Sequence, residues 1–156
     1  MQESQSIIEG KELHELDICQ AKEVLRAFIE TEERNFSDII IEDIKLDYSK
    51  ESVSIFLKYV KKMVITNKSE MNVWILRLGY YLGESLLRTS GKLRWDIGEP
   101  NMAFENHPVI SGFRDGEEAP VITVCRNVLL AVSLDNAPDA RIDGAMEHWF
   151  DAAHNA

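Results

Sequence analysis

From Asn72 to Trp95 the chain reads NVWILRLGYYLGESLLRTSGKLRW. It is apolar on almost every side at first, then narrows to one polar stripe, then stops at Ser90-Gly91. A helix that is apolar on most of its faces must be covered from several directions, which places it at the centre of a domain. The pattern predicts this helix from Ser69, as its N-cap, to about Thr89, with Gly91 as a left-handed C-cap.

The flanking segments are more one-sided. Leu13, Leu16, Ala21, Val24, Leu25, Phe28 and Ile29 recur at helical spacing, so a first helix is expected from Lys11 to about Arg34. Glu30, Glu32 and Glu33 gather at its end, where acid opposes the helix dipole and weakens the last turn. Ile39, Ile41, Ile44 and Leu46 alternate in part and predict a strand within residues 39–47, with a slip between Ile41 and Ile44 that fits a bulge. Ser49 caps a clean amphipathic helix whose apolar positions are Val53, Phe56, Leu57, Val60, Met63 and Val64. Lys50, Lys58, Lys61 and Lys62 lie on its outer side.

Further on, Leu93, Trp95 and Ile97 alternate with Lys92, Arg94 and Asp96, which predicts a half-buried strand over residues 92–97. PVISGF, residues 108–113, predicts a second strand close enough to pair with it antiparallel, and the stretch at 39–47 is expected at one edge. Pro120 stands where the first residue of a helix belongs. Val121 to Leu134 is nearly continuous apolar sequence, long enough for a buried helix, although the β-branched run from Val121 to Val124 also allows a strand at its start. Asp139 caps a last helix with the stripe Ile142, Ala145, Met146, Trp149, Phe150 and Ala153. The expected class is α+β, with about five helices packed on a small, mostly antiparallel sheet of about three strands. The polar residues 1–10 are expected to be disordered, and residues 11–156 to form one domain.

Charge changes this picture more than composition does. The chain has 17 Lys and Arg against 27 Asp and Glu, a formal net charge of −10. The first 70 residues carry 10 basic and 15 acidic side chains and the remainder 7 and 12, so the acidity is not confined to a tail. Such a field repels nucleic acid and anionic membrane surfaces and favours cationic partners, besides keeping a protein soluble. No apolar run reaches the roughly 18 residues that a membrane span needs. The N-terminus lacks the charged and apolar regions of a secretory signal. Cys19 and Cys125 sit among apolar residues of expected helices, without metal-ligand spacing, so both are read as buried free thiols. A cytoplasmic protein is the expectation.

Candidate chemistry is sparse. Arg77, Tyr81, Glu84 and Arg88 share one sector of the central helix, and Glu84 and Arg88 are spaced to pair at i,i+4. They form either a charged strip lining a groove or a salt-bridged stripe on a buried helix. Gly79 and Gly83, on an adjoining face, each cost about 1 kcal/mol in a helix interior, which implies close approach of another backbone. His107, expected to be exposed in the loop before Pro108, could form an acid–base cluster with Asp96 and Glu99 near the sheet end. Glu147, Asp151 and His154 share a face of the last helix, but at a terminus where a metal site would lack support. There is no phosphate-binding loop, no nucleophile elbow and no metal-ligand motif, so neither a metal nor a cofactor is expected.

The string GYYLGESLLR followed by LRW resembles a GxYLGE…W helix–strand motif of small bacterial domains of unknown function, some of them associated with toxin–immunity systems. The helix start Asp47-Tyr48-Ser49-x-x-Ser52 and the string HPVISGF add to the resemblance, which covers residues 45 to 115. It implies a small bacterial cytoplasmic protein and carries over no catalytic residues. Gly79, Gly83, Glu84, Arg88 and Trp95 are its structural positions.

Together these readings favour a non-enzymatic acidic binding protein, in its sharpest form an immunity-type protein that occupies the basic active site of a cognate toxin. The expected contact residues are the loop acids Asp96, Glu99, Glu105, Asp115, Glu117 and Glu118. The alternatives are an assembly subunit that self-associates as a homo-oligomer, and a small enzyme or ligand-binding domain with its site at His107, Asp96 and Arg94.

Overall fold

The computed structural model describes residues 11–37, 39, 41 and 44–156. Five helices and a two-stranded antiparallel sheet follow one another in the order α1 (Ile18–Ser37), α2 (Lys50–Thr66), α3 (Met71–Leu87), β1 (Arg94–Ile97), β2 (Pro108–Ser111), α4 (Val121–Ser133) and α5 (Ala140–His154). The fold is α+β, with two strands rather than about three. The expected disorder of residues 1–10 lies outside the described residues.

The segment that is apolar nearly all round is α3, and it touches each of the other helices as well as β2. Ile75, Leu78, Tyr81, Leu82 and Leu86 are buried in one continuous core with Val53, Phe56, Leu57 and Val60 of α2, Cys125 and Leu129 of α4, and Ile142, Met146 and Phe150 of α5. A smaller cluster, Leu16, Ala21 and Val24 with Leu13 and Ile97 against it, joins the start of α1 to the end of β1.

The two helix glycines have different reasons. At Gly79 a Cβ would lie 3.0 Å from the Ile122 Cα, so this glycine lets the backbone of α4 approach. At Gly83 a Cβ would enter the indole ring of Trp95. A side chain fills that space, where another backbone was expected. The indole is held there by its Nε1–H, which donates to Glu84 Oε2 at 3.0 Å, and by Phe28, edge-on at 5.8 Å.

Helix ends depart from the expectations where side chains find other partners. The first helix begins at Ile18, because Asp17 and Gln20 form a reciprocal capping pair: Gln20 N–H donates to Asp17 Oδ1 at 2.8 Å and Asp17 N–H to Gln20 Oε1 at 3.1 Å. Residues 13–15 are a separate 3-10 turn. Ser49 caps α2 as expected, accepting from Ser52 N–H at 3.1 Å. Ser69 does not cap α3; its hydroxyl bonds Asn67 Oδ1 at 2.6 Å, and a 3-10 turn at Lys68–Glu70 runs straight into the helix. Helix α3 ends at Leu87 with Arg88 still right-handed, and Gly91 is not among the glycines with positive φ. The Asp139 carboxylate accepts from Lys61 at 2.7 Å instead of capping the amides of α5.

The strand expected within 39–47 is absent from residues 39, 41 and 44–47. Local turn bonds occur instead, from Ile39 N–H to Phe36 O and from Ile44 N–H to Ile41 O, both 3.3 Å. Ile41, Leu46 and Tyr48 cover the core with side chains and make no ladder. The bulge between Ile41 and Ile44 lies outside the described residues. The sheet's further partner is Ala119, which exchanges two bonds of 2.9 Å with Ile110. Pro120 has no N–H to extend that pairing and leads directly into α4. The strands begin at Arg94 and end at Ser111, shorter than the alternation indicated, in the register Trp95↔Ile110 and Asp96↔Val109.

Cys125 is buried as expected and burial pushes its thiol up, but Cys19 is exposed on the first turn of α1. A thiol reagent should therefore label one cysteine per native chain and two after denaturation; two labelled natively would show that α4 does not close over Cys125. Replacing Gly83 by leucine should displace the Trp95 indole and cost about 1–3 kcal/mol, the usual range for overpacking. An unchanged thermal midpoint for that variant would mean the indole is not seated on α3.

Candidate functional site

Of the acids singled out in the sequence, Asp96 lies in β1, Glu99 and Glu105 in the loop between β1 and β2, and Asp115, Glu117 and Glu118 in the loop after β2. The conformation of these loops is set by backbone constraints. Gly98 N–H donates to His107 O at 2.9 Å and Asn106 N–H to Gly98 O at 3.1 Å, closing the loop over residues 98–107. A Cβ at Gly98 would collide with the Phe104 carbonyl, so glycine is required there. Asn101 and Asn106 both take left-handed φ of 64°, which asparagine tolerates better than most residues. Asn106 is buried, and its Nδ2 donates to the carbonyls of Leu13 and Leu16, each at 2.9 Å. One side chain thus ties the hairpin loop to the segment before α1.

Past β2, the turn from Phe113 closes with Gly116 N–H donating to Phe113 O at 3.1 Å, and Glu117 N–H donates to Asp115 Oδ1 at 3.0 Å. The pairing of Ala119 with Ile110 then brings Glu118 back to the hairpin, where its Oε1 accepts from Glu99 N–H at 3.2 Å. Asp96 accepts from Ser111 Oγ at 3.3 Å and lies 3.5 Å from the Arg94 guanidinium. Burial raises the Glu118 carboxyl above the usual carboxylate range, and the negative charges of Glu99 and Asp96 add to the rise, against the Glu99 N–H bond.

Asp96, Glu99 and Glu118 are therefore one electrostatic group. Asp115 and Glu117 share the exposed turn that precedes it. Glu105 is held beside Gly98 by a backbone bridge and is not among the charges acting on Glu118.

Of His107, Asp96 and Arg94, the structure pairs Asp96 with Arg94, and Asp96 is not among the charges acting on His107. His107 is half-buried against Phe104, its ring 6.1 Å away, and burial, with the charge of Arg126 in the same sense, lowers its proton affinity. Asp96 is occupied with Arg94 and Ser111. The strip on α3 is also not a charged groove. Tyr81 is fully buried, its hydroxyl bonded to Tyr48 N–H at 2.8 Å and to Ser52 Oγ at 2.7 Å. Arg88 lies over the Tyr48 ring at 3.4 Å, Arg77 lies 4.8 Å from the Trp74 ring, and Glu84 and Arg88 form no ion pair.

The lysine face of α2 is partly neutralised by α5. Lys58 bonds Asp143 at 3.0 and 3.1 Å, and Lys61 bonds Asp139. Beside these pairs runs an open groove of about 340 Å³, lined by Lys50, Glu51, Ser54, Ile55, Lys58, Asp143 and Glu147. Among the described residues, no three His, Cys, Asp or Glu side chains gather as metal ligands, and no helix is long and apolar enough to cross a membrane.

The Asn106 clamp escaped the sequence reading, because its two acceptors lie 90 or more positions away. Asn106→Ala should cost about 1–3 kcal/mol, the price of losing the hydrogen bonds of a buried polar site, together with strain at positive φ. Asn106→Gly, which removes the bonds but accepts the backbone angle, should retain most of the loss. Amide exchange should rise at residues 12–16 and 98–107 in both variants; exchange unchanged at 12–16 would refute the clamp.

No protein-family model, no curated protein and no solved structure matches the chain.

Proposed function

We propose that this chain is a non-enzymatic acidic binding protein whose partner is a basic protein, and that contact is made through the hairpin-end loops. The observation that carries this reading is the grouping of Asp96, Glu99 and Glu118, with Asp115 and Glu117 on the adjoining turn, and Arg94 as the one cation paired with any of them among the described residues. Like charges held together repel one another in the free protein, and a cationic partner relieves that repulsion. The net charge of −10 adds long-range attraction that speeds encounter. The sharpest form of the proposal is an immunity-type protein, cytoplasmic and bacterial, that blocks the basic active site of a toxin, in keeping with the resemblance of the GYYLGE…LRW segment.

A second reading, self-association, has the α2–α5 groove in its favour. Exposed Ile55 is flanked there by charges of both signs, which allows a self-complementary contact. Sedimentation at several concentrations separates the two readings, since only self-association predicts a concentration-dependent mass for the isolated chain.

The test of the main proposal is binding kinetics against the partner captured by the chain from its native lysate. Glu99→Lys with Glu117→Lys reverses two exposed charges whose side chains make no hydrogen bond among the described residues. The association rate should fall at least tenfold at low salt and the wild-type rate should drop steeply as salt rises, because exposed charges are screened beyond about 8 Å at physiological ionic strength. The melting temperature should hardly move. An association rate indifferent to both changes would make the acidity a solubility device only.

A further inference from the structure

The acids at the end of α1 do more than oppose a dipole. Phe28, Glu32 and Phe36 are spaced four apart, so they form one stripe, and that stripe faces α3. Phe28 is fully buried, edge-on to Tyr80 at 6.4 Å and to Trp95 at 5.8 Å. Phe36 stacks on Tyr81 at 5.4 Å and meets Phe56 edge-on at 6.1 Å. Between these two aromatic anchors sits a carboxyl group, with Glu32 only 4% exposed. Its Oε2 has no hydrogen-bond partner among the described residues, and the same is true of Arg77 Nε on α3. The two side chains feel each other's charge but form no ion pair.

We propose that α1 is a strap over the aromatic face of α3, gripping it when the Glu32 carboxyl is neutral and loosening when that carboxyl is charged. A charged carboxylate without a full set of partners is costly to hold in an apolar interface, whereas its neutral form is far less so. Burial accordingly raises the Glu32 carboxyl above its ordinary value of 4.5, outweighing Asn35 on its own helix and Arg77 on α3, which both act the other way. Among the described residues, Arg77 is the one charged group that acts on it.

The sign follows from linkage. The docked state binds the proton more tightly than the loosened one, so docking is strongest below the ordinary value, weakens as pH rises towards the docked value, and then levels off. What the strap uncovers when it loosens is the edge of Tyr80 and Trp95 that Phe28 covers. The grip at the other end of α1, through Leu16, Ala21, Val24 and the Asn106 bonds, contains no titratable side chain. Loosening should therefore begin at the C-terminal half of α1, from Phe28 onward.

The experiment is native-state amide exchange of the full chain at pH 5 and pH 8, corrected for intrinsic rates, with α3 amides as the internal reference. In the wild type, protection of residues 28–37 relative to α3 should be at least threefold higher at pH 5. Glu32→Gln, which keeps the shape and removes the charge, should give the same relative protection at both values, at or above the wild-type level at pH 5. Should the glutamine variant fold poorly, the wild-type pH series and the carbon chemical shift of the Glu32 carboxyl, followed through the titration, decide alone. Relative protection independent of pH in the wild type, or a Glu32 carboxyl that titrates at or below its ordinary value, would overturn the proposal.

Discussion

One helix, α3, is apolar on most of its faces, and a helix of that kind is stable only if something covers every side. Burying a large apolar side chain contributes about 1.5–3 kcal/mol relative to leaving it exposed, and α3 and its neighbours hold many such side chains at or near zero exposure. Each remaining element is placed by that requirement. Helix α4 closes on the Gly79 face, where its backbone approaches at Ile122. Trp95 of β1 lays its indole on Gly83, and α1 lays Phe28 on that indole in turn. Helix α2 and the segment before it cover Tyr81, with Ser52 and the Tyr48 amide meeting the one polar atom that Tyr81 brings into the core.

The hairpin and its loops are a consequence of this packing. A two-stranded sheet is marginal by itself. Here β2 is buried on both faces, through Val109 on one and Ile110 on the other, and the sheet's extension stops at the single Ala119 bridge because Pro120 follows. The loops left outside the core carry acids on short tethers, so Asp96, Glu99 and Glu118 are held together by backbone geometry despite their mutual repulsion. A cation would relieve the repulsion within a group of carboxylates held this way, and this is the physical ground for the proposal that the surface is a contact site. The residues that fix it, Gly98 and Asn106, contribute no charge of their own to that surface.

Local conflict is concentrated at two places, and they differ in kind. The acid group at the hairpin end is open to water at Glu99 and partly so at Asp96 and Glu118. The Glu32 carboxyl lies between two aromatic anchors and behind a helix, where its charge state bears on the grip of α1 and on nothing outside. Both are positions at which an uncharged residue would serve folding better, so both are where function or regulation is to be sought.

Local sequence was enough for the helices and the cap at Ser49, because these depend on side chains within a turn or two of one another. It indicated the central place of α3 through an all-round apolar surface, and the antiparallel pairing of β1 with β2 through the short connection between them. The reciprocal Asp17–Gln20 cap is equally local, but a first helix read from Lys11 by apolar spacing passes over it. The same spacing ends the first helix near Arg34, short of Phe36, so it does not disclose the stripe Phe28-Glu32-Phe36, and only burial against α3 distinguishes its middle acid from the exposed acids beside it. Tertiary structure alone decided the rest. Partial alternation at 39–47 could not reveal that no strand forms at its described residues, since a strand depends on an available edge elsewhere in the chain. Gly83 shows the same limit: its lack of a side chain was visible, but whether a backbone or an indole fills the space depends on how β1 docks. The grouping of Asp96 and Glu99 with Glu118 arises from hydrogen bonds between residues 9 to 19 positions apart, and no local pattern encodes which carbonyl or amide a distant side chain will meet.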